Sequence, residues 1–271
     1  MPLLCDTFDE REAENLFKYA LEDYFKKRFL DIKNYDLSDD EIEELNYIYG
    51  KISDHYPIQY LFNKTEFYGV DFYVDENVLI PRAETEELIH WILTDHADSN
   101  SNLSLLDIGT GSGCIPIILK KNKPTWNIAA IDISENALEV ARTNALKHHT
   151  EIEFIEGDIL NAQFSMLNSQ FDIIVSNPPY IPTKEKALMS TSTIQHEPHL
   201  ALFVQDEHPI IFYEKIADFA KNHLAENGKL YFELNEFNAD DVREMLENKG
   251  FQNIIIKKDF AGKDRMLRAS L

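Results

Sequence analysis

A strand-like run that ends in an amide, two prolines and an aromatic ring is the feature of this sequence best suited to chemistry. Residues 171–176, FDIIVS, are followed directly by Asn177, Pro178, Pro179 and Tyr180. The side-chain oxygen of Asn177 and the carbonyl of Pro178 could each accept an N–H from a planar nitrogen group, which would leave its lone pair aimed at an electrophile. The prolines would hold these acceptors still because their φ is fixed, and the tyrosine ring could cover the planar group. A simple strand stop explains the prolines but not the whole set.

A glycine-rich turn follows an earlier strand-like run, LLDI at residues 105–108. It contains Gly109, Gly111 and Gly113 and leads into an apolar, helix-like segment. Glycines at the carboxyl end of a strand let the backbone turn sharply and approach a ligand closely. The G-x-G-x-G spacing is tighter than the dinucleotide fingerprint and so disfavours pyrophosphate binding. The alternative is a tight strand-to-helix turn without a ligand.

Two acidic residues end the next two strand-like runs. Asp132 closes IAAIDI about twenty residues after the glycines, where a carboxylate can accept hydrogen bonds from both ribose hydroxyls of a nucleoside. Its alternative role is to place a negative charge at the start of the helix after Ser134. Asp158, in EGDIL, could border an adenine pocket or serve as a turn aspartate. A ribose site without phosphate machinery would suit a nucleoside that carries a transferable methyl group, and if the acceptor is an amide or amino nitrogen, the Asn-Pro-Pro-Tyr motif could orient it.

Short apolar runs alternate with helical patterns over the larger part of the chain. The runs are LSLLDIG, IAAIDI, IEFIEGD, DIIVSN, KLYFELN and IIIKKD, and segments such as SENALEVARTNALKH separate them. This alternation predicts an α/β fold with a mostly parallel sheet covered on both faces. The last runs, including DRMLRASL, are closely spaced, so that edge is predicted to be partly antiparallel. The polar segments DHADSNSN and NAQFSMLNSQ are predicted to be surface loops.

The pattern changes before the α/β region. EAENLFKYALEDYF and SDDEIEELNYIYGKI have apolar residues at helical spacing, and the second begins with a capping box, Ser38 and Glu41. We therefore predict a small helical domain over residues 1–57, a β-hairpin linker over residues 58–80 and the α/β domain over residues 81–271. Arg82 and Glu84, in IPRAETE, are predicted to order the junction between the domains.

The composition restricts the class of function. The chain has 271 residues with 48 acidic and 26 basic side chains, a net charge of −22 and a pI of about 4.7. Such a charge repels polyanions and weighs against a nucleic-acid-binding enzyme. No run has the length of a membrane span and the first residues do not form a secretory signal, so we expect a cytoplasmic protein. The two cysteines, Cys5 and Cys114, make a disulfide framework or structural zinc improbable, and we expect no metal site.

These motifs together resemble a known family. NPPY after a strand, with DIGTGSG upstream, resembles the class I S-adenosylmethionine-dependent methyltransferases that methylate planar nitrogens. PIQYLFNKTEFYGVDFYVDENVLIPRAETEELI is similar to the protein-glutamine N5-methyltransferases of the HemK type, which modify peptide chain release factors. The similarity continues through HEPHLALF, NGKLYFELNE and AGKDRML and covers most of the chain from about residue 55.

The resemblance implies a Rossmann-like methyltransferase domain, an N-terminal helical domain that helps recognise the release factor, and a glutamine in a Gly-Gly-Gln loop as the acceptor. It implies that S-adenosylmethionine is bound by Gly109, Thr110, Gly111, Ser112, Gly113, Asp132, Asp158, Ile159 and Asn177. It also implies that the glutamine pocket consists of Asn177, Pro178, Pro179 and Tyr180, with Asn177, Pro178 and Tyr180 as the catalytic residues. Family members often have an aromatic residue where this chain has Ile159, whose aliphatic side chain can still pack on adenine.

Three other functions compete with this interpretation. Nucleic-acid amino-methyltransferases share the Asn-Pro-Pro-aromatic motif, since a base amine is also a planar nitrogen, but the net charge and the lack of a basic stripe argue against them. A glutamine methyltransferase of a ribosomal protein is closer, although IPRAETEELI suits the release-factor branch better. A cofactor-binding module without catalysis is disfavoured because Asn177 and Tyr180 are intact.

Other reactive residue types receive plainer interpretations. Cys114, beside the glycine turn, is predicted to be a packing residue. His196 and His199 occur in QHEPHLAL without further ligand-type residues, so they are predicted to lie in a substrate-side loop that Glu197 anchors. We expect the protein to be a monomer.

Overall fold

The computed structural model describes residues 10–26, 28, 30, 36, 38–97, 102–161 and 170–271. The chain divides into two compact units. The smaller unit takes in residues up to 64 together with residues 190–196, and the larger one takes in residues 65–189 and 197–271. None of the helices in the described ranges has both the length and the apolar character needed to cross a membrane.

The elements of the described residues follow one another in a mixed order. The helices are α1 (Glu10–Phe25), α2 (Asp39–Ser53), α3 (Ile58–Leu61), α4 (Ala83–Asp95), α5 (Cys114–Asn122), α6 (Glu135–Lys147), α7 (Thr191–His196), α8 (His199–Leu202), α9 (Ile211–His223) and α10 (Ala239–Asn248), with a 3₁₀ helix at Thr183–Leu188. The strands are β1 (Thr65–Phe67), β2 (Val70–Phe72), β3 (Ser104–Ile108), β4 (Asn127–Asp132), β5 (Glu153–Glu156), β6 (Phe171–Ser176), β7 (Ile181–Pro182), β8 (Phe203–Val204), β9 (Leu224–Glu233), β10 (Gln252–Lys258) and β11 (Asp264–Ser270).

The smaller unit is helical, as its amphipathic patterns predict. Its core contains the buried residues Ala20, Ile48, Ile52 and Ile58. The predicted capping box is confirmed: the backbone N–H of Ser38 donates to Glu41 over 2.8 Å, and the backbone N–H of Glu41 donates to the Ser38 hydroxyl over 3.3 Å. This pairing satisfies two N–H groups that the first turn of α2 would otherwise leave open.

The larger unit is built on a seven-stranded sheet with the order β10-β11-β9-β6-β3-β4-β5. The five strands β9, β6, β3, β4 and β5 run parallel to one another, whereas β11 is antiparallel to both β9 and β10. The predicted mostly parallel sheet with an antiparallel edge is therefore confirmed. The strands β1 and β2 form a separate antiparallel hairpin, and β7 and β8 form a short parallel pair.

Two apolar layers cover the sheet, one on each face. On one side, sheet residues such as Ile174 and Phe232 pack with α9 and α10. On the other side, sheet residues such as Ile173 and Tyr231 pack with α4 and α5. Because both faces are buried, the central strands are continuous apolar runs rather than alternating ones.

The strand order places a topological switch point between β3 and β6. The chain runs from β3 to β4 and β5 on one side, and then crosses to β6 and β9 on the other. Ligands of open α/β sheets bind outside the carboxyl ends of the strands at such a point. The glycine turn follows β3 and Asn177 follows β6, so the two motifs meet at the same edge of the sheet.

Some predictions concern segments that the structure covers only in part. Residues 162–169 and 98–101, within the two predicted surface loops, lie outside the described residues, as does Cys5. The division of function among residues 1–57, 58–80 and 81–271 stays a prediction.

Candidate active site

The glycine turn is held to the neighbouring strand by backbone hydrogen bonds. The N–H groups of Gly109 and Thr110 both donate to the carbonyl of Ile131 in β4, over 2.8 and 3.0 Å. Gly109 has φ of +77°, a left-handed conformation in which a side chain would be strained. The turn is thus fixed against β4 while it bends away from the end of β3.

Gly113 has a different environment from the other glycines of the turn. It precedes α5 with φ of +79°, and a Cβ atom added there would lie 3.1 Å from the Cβ of Ala141 and 3.1 Å from the Cδ1 of Ile117. Its missing side chain therefore lets α5 pack closely against α6. Its predicted contact with the cofactor stays a prediction.

Asp132 ends β4 and holds two backbone groups of the site. Its Oδ2 accepts from the N–H of Gly111 over 2.8 Å, and its Oδ1 accepts from the N–H of Ser134 over 3.0 Å. Burial raises the pKa of this carboxyl, and the backbone N–H groups of Ser134 and Gly111 oppose the rise. Each carboxylate oxygen can accept a second hydrogen bond. Asp132 can therefore bind ribose hydroxyls while it also holds the turn in place.

Asp158 organises a turn and also borders the same space. Its Oδ1 accepts from the N–H of Leu160 over 2.8 Å, and its Oδ2 accepts from the side-chain amide of Asn161 over 2.5 Å. The turn-aspartate interpretation is therefore confirmed, and Asp158 also lines the pocket, while its predicted contact with adenine stays a prediction.

The Asn-Pro-Pro-Tyr motif begins where β6 ends. The Ser176 hydroxyl donates to the carbonyl of Ile108 over 2.6 Å, which ties the motif to the glycine turn. The side-chain NH₂ of Asn177 donates to the hydroxyl of Thr85 over 3.2 Å. No described residue donates a hydrogen bond to the Oδ1 of Asn177 or to the carbonyl of Pro178. Neither predicted acceptor is therefore occupied by a donor of the described residues, and their contact with a ligand stays a prediction.

Tyr180 lies differently from its neighbours in the motif. Its ring packs against the core layer that contains α9, and its hydroxyl donates to the Oε1 of Glu233 over 3.2 Å. Burial, with the nearby charge of Glu233 as the next cause, raises the pKa of this phenol well above its ordinary value. The side-chain amide of Asn235 donates to the Tyr180 carbonyl over 3.1 Å. Its predicted role of covering the planar acceptor stays a prediction.

Thr85 and Glu233 are site residues that the sequence analysis missed. The Thr85 hydroxyl, in the first turn of α4, donates to the Oε2 of Glu233 over 2.6 Å. Burial raises the pKa of the Glu233 carboxyl to about 7, while hydrogen bonding by Thr85 opposes the rise. The one available signal was position, since Glu233 ends β9, next to β6 in the sheet, and so reaches the ligand-binding edge.

One pocket of about 300 Å³ gathers nearly all of these groups. All the predicted site residues except Gly113 and Tyr180 line it, namely Gly109, Thr110, Gly111, Ser112, Asp132, Asp158, Ile159, Asn177, Pro178 and Pro179. Apolar side chains form much of the remaining wall, including Ile108, Ile115, Ile131, Ile133, Leu200, Phe212 and Ile216. A largely apolar cleft with a few convergent polar groups is typical of a small-molecule site.

The pocket residues fit a nucleoside cofactor. The glycine turn offers a close backbone approach, Asp132 offers acceptors for hydroxyls, and Ile133 and Ile159 offer an apolar surface for a base. Nothing within 4 Å would meet a Cβ atom at Gly109 or Gly111, so space is available in front of the turn.

An ion pair between the half-exposed Arg82 and the buried Glu197 braces the wall beside the pocket. Arg82 donates to the Oε1 of Glu197 over 2.5 Å, and the N–H of Ile80 donates to the Oε2 of the same carboxylate over 3.2 Å. The prediction that Glu197 anchors its loop is confirmed, with the segment before α4 as the partner.

The remaining reactive residue types make local contacts, and the predicted placement of His196 and His199 in a substrate-side loop stays a prediction. Cys114 is buried, and burial raises the pKa of its thiol to about 12, so it is a packing residue as predicted. The Nε2–H of His196 donates to the Asp54 carbonyl over 3.1 Å, and its ring contacts that of Tyr56. The ring of His199 contacts that of Phe203. Over the described ranges, no group of three or more His, Cys, Asp or Glu side chains is arranged to hold a metal ion.

The sequence is similar to a group of curated proteins along nearly its whole length. Residues 90–211 match the family model of the methyltransferase small domain. Release factor glutamine methyltransferase of Flavobacterium psychrophilum is 44% identical over 272 residues, which cover 98% of this chain and 95% of that protein. The protein of the same name from Bacteroides thetaiotaomicron is 40% identical and covers 98% of this chain and 96% of its own length.

Solved structures share the fold. Ribosomal protein L11 methylase from Lactobacillus delbrueckii subsp. bulgaricus superposes with a TM-score of 0.51 at 21% identity, covering 73% of this chain and 83% of that one. A methyltransferase from Pyrococcus furiosus superposes with a TM-score of 0.54 at 18% identity, covering 84% and 96%. These similarities confirm the predicted Rossmann-like methyltransferase fold.

Proposed function

This chain belongs to the release factor glutamine methyltransferases, and on that premise we propose that it methylates the side-chain amide nitrogen, N5, of the glutamine in the Gly-Gly-Gln loop of a peptide chain release factor. The methyl donor of the family is S-adenosylmethionine, and the other product is S-adenosylhomocysteine. The observation that carries the proposal is that Asn177 and Pro178 line the pocket that also contains the glycine turn and Asp132, while no described residue donates to the Asn177 Oδ1 or the Pro178 carbonyl.

The cofactor would be held by the residues that converge from three strand ends. Gly109 to Ser112 would face it with backbone, Asp132 would accept from the ribose hydroxyls, and Asp158 and Ile159 would border the base. When bound, S-adenosylmethionine supplies a methyl group on a sulfonium sulfur that keeps the electron pair of the broken carbon–sulfur bond. The residues of this chain then have to present the acceptor.

Presenting the acceptor is the demanding part, because an amide nitrogen is a poor nucleophile while its lone pair is delocalised. Asn177 Oδ1 and the Pro178 carbonyl would each accept one N–H of the glutamine amide and hold the nitrogen toward the methyl group. The nitrogen forms the new carbon–nitrogen bond and loses one proton to water. No strong general base is required, since that proton becomes acidic only as the bond forms.

The recognition of the protein substrate extends the proposal to the rest of the chain. We assign the helical region of residues 1–57 to recognition of the release factor, as the resemblance to the family implies. Pro179 and Tyr180 would form the rest of the pocket that holds the substrate glutamine. We place the reaction in the cytoplasm and treat the enzyme as a monomer.

The direct test is an acceptor-mapping assay. Purified enzyme is incubated with S-adenosylmethionine and a release factor, and the products are digested and analysed by peptide mass spectrometry. We expect a single added methyl group on the glutamine of the Gly-Gly-Gln loop. Parallel reactions contain ribosomal proteins, DNA or RNA in place of the release factor, and we expect no transfer to them.

Two results would contradict the proposal. Methylation of a nucleobase would assign the site to nucleic-acid amines, and methylation of a ribosomal protein with an unmodified release factor would assign it to the other glutamine branch. A release factor whose Gly-Gly-Gln glutamine is replaced by glutamate is the matched control, because it removes the acceptor nitrogen and keeps the rest of the surface.

A further inference from the structure

Three side chains form a continuous chain of hydrogen bonds that begins at the pocket wall and ends at the buried Glu233. The NH₂ of Asn177 lies 3.2 Å from the hydroxyl oxygen of Thr85, and that oxygen lies 2.6 Å from the Oε2 of Glu233. The partners come from three different elements, since Asn177 follows β6, Thr85 lies in α4 and Glu233 ends β9. We refer to them as the Asn177–Thr85–Glu233 chain.

The members behind Asn177 are shielded from water. Thr85 is 3% exposed and Glu233 is 1% exposed. A buried hydroxyl or carboxylate that loses its partner cannot replace it with solvent, so the loss costs the full desolvation of the group. The hydrogen bonds of the Asn177–Thr85–Glu233 chain are therefore a fixed feature of the site, because its buried members have no water to bond to instead.

The direction of the hydrogen bonds is determined at the Glu233 end. Above the pKa of Glu233, which burial raises to about 7, the ionised carboxylate can only accept, so the single proton of the Thr85 hydroxyl points to Glu233. The Thr85 oxygen then has only lone pairs left for Asn177, and it must receive an N–H from it. Tyr180 donates to the other carboxylate oxygen, Oε1, and so does not compete for this position.

The consequence for Asn177 is an orientation of its amide. An asparagine side chain presents NH₂ on one side and oxygen on the other, and a half-turn about its last torsion exchanges them. With the NH₂ held by Thr85, the Oδ1 is the free end of an amide that lines the pocket, and no described residue donates to it. The reversed amide would present N–H groups to the N–H groups of the substrate, which would repel them.

We propose that Thr85 and Glu233 are positioning residues that orient the Asn177 amide with its oxygen toward the substrate amide. The proposal rests on the proposed function, because it concerns the acceptor of the glutamine N–H. Neither residue needs to touch the substrate. They act on Asn177 through the Thr85 hydroxyl, which donates its proton to Glu233 and accepts the N–H of Asn177.

The test compares three variants at pH 8.5, where the Glu233 carboxyl is ionised. Thr85→Val keeps the shape of the side chain and removes the hydroxyl, and Thr85→Ser keeps the hydroxyl. Thr94→Val is the matched control, because it makes the same change at an exposed position of the same helix. Thr85→Ala replaces Thr85→Val if the valine variant does not fold.

We expect Thr85→Val to lower kcat about tenfold, the effect of one neutral hydrogen bond. The KM for the release factor and the Kd for the cofactor should change less than twofold, because in this proposal Thr85 acts through the orientation of Asn177 and not by binding either ligand. Thr85→Ser should recover most of kcat, and Thr94→Val should behave as the wild type does.

A spectroscopic measurement without substrate separates orientation from general structural damage. In protein labelled with ¹⁵N-asparagine, the side-chain NH₂ resonance of Asn177 is identified by its loss in Asn177→Ala. We expect Thr85→Val to shift this resonance and to speed its exchange with water, and Thr85→Ser to restore both. The other asparagine NH₂ resonances should stay in place.

The outcomes distinguish this proposal from the proposed function. An Asn177 resonance that does not move in Thr85→Val, or a kcat equal to that of Thr94→Val, would overturn the positioning role. A wild-type enzyme that methylates no glutamine, while the resonance responds as expected, would overturn the proposed function and leave the orientation of Asn177 supported.

Discussion

At the scale of single residues, the site combines open acceptors with buried groups that orient them. Asn177 and Pro178 line the pocket and are the proposed acceptors, whereas the adjoining Thr85 and Glu233 are almost completely buried. The distinction predicts different kinetic effects, because a group that contacts the acceptor in the transition state changes kcat and a group that holds the cofactor changes its affinity.

Asn177→Ala should lower kcat by about 10²–10³, the range for losing one positioned polar group at a reacting centre. Cofactor affinity should change much less, because the glycine turn and Asp132 remain. Steady-state kinetics with a release factor and calorimetric titration with S-adenosylhomocysteine would measure the two effects. Asn222→Ala, at an exposed position of α9, is the matched control. A collapse of cofactor affinity with unchanged turnover of the bound enzyme would refute the catalytic role.

Asp132→Asn should mainly weaken cofactor binding and have little effect on kcat. The variant turns one acceptor oxygen into an NH₂ that faces either the Gly111 N–H or the Ser134 N–H, so it disturbs the turn as well as the ribose site. We expect the Kd for S-adenosylhomocysteine to rise about tenfold, the equivalent of one hydrogen bond, while kcat at saturating cofactor stays within a few-fold. An unchanged Kd would show that this carboxylate does not bind the ribose.

At the scale of the elements, the site exists because three strand ends are brought into register. Ile108 of β3 pairs with Ser176 of β6 and with Ile131 of β4. The parallel register places the turn, Asp132 and Asn177 at one edge, and the bond from Ser176 to the Ile108 carbonyl fixes the two central loops to each other. The helices that follow the strands must then pack closely enough to keep this edge in place.

Gly113→Ala should destabilise the protein through the packing of α5 on α6. The left-handed backbone costs about 1–2 kcal/mol for a residue with a Cβ atom, and the contacts of 3.1 Å with Ala141 and Ile117 add to that cost. Gly250→Ala is a matched control, since its φ is also positive at +91° and a Cβ atom there would meet nothing within 4 Å. In urea unfolding we expect Gly113→Ala to lose clearly more stability than Gly250→Ala. Equal losses would mean that the helix contact contributes nothing.

At the scale of the whole molecule, two buried carboxyl groups make the stability depend on pH. Burial raises the pKa of both Asp107 and Glu233 to about 7. Tyr180, Arg265 and Glu84 face Glu233, and of these Arg265 and Tyr180 favour its charged form while Glu84 opposes it. A folded state with a raised carboxyl pKa keeps a proton that the unfolded chain has already lost.

The sign of the dependence follows from that difference. Between the ordinary carboxyl pKa and about 7, the folded state binds more protons than the unfolded state, so the free energy of unfolding falls as the pH rises. Glu233→Gln should reduce this fall, because the amide does not titrate. Urea unfolding of both proteins from pH 5 to pH 8 would measure it, with Glu226→Gln at an exposed position of β9 as the control. A slope that stays the same in Glu233→Gln would contradict the raised pKa.

The net charge makes a second prediction at this scale. With a charge of −22, the chain should be repelled by polyanions, whose binding depends on Lys and Arg contacts to phosphate or sulfate. We expect no retention on heparin at low salt and no inhibition of release factor methylation by added RNA. Retention that weakens with salt would reveal a basic surface that the overall charge conceals.

The sequence by itself determined the local parts of this protein. The apolar runs and helical patterns predicted the strands and helices of the sheet, because burial on both faces demands those patterns. The glycine turn, Asp132 and the Asn-Pro-Pro-Tyr motif were recognisable because each is a short segment whose residue types suit one backbone conformation or one kind of hydrogen bond.

Only the tertiary structure decided which buried polar groups are partners. Thr85 lies 92 residues from Asn177 and 148 residues from Glu233 along the chain. Nothing in the local sequence distinguishes the Thr85 hydroxyl from that of Thr94 on the same helix, yet one is buried in the site and the other is exposed. The roles of Gly113 and Tyr180 were likewise set by the helix and the core layer that pack against them. A hydrogen bond between buried groups depends on where distant elements come together, and the packing of the sheet with its helices alone determines that.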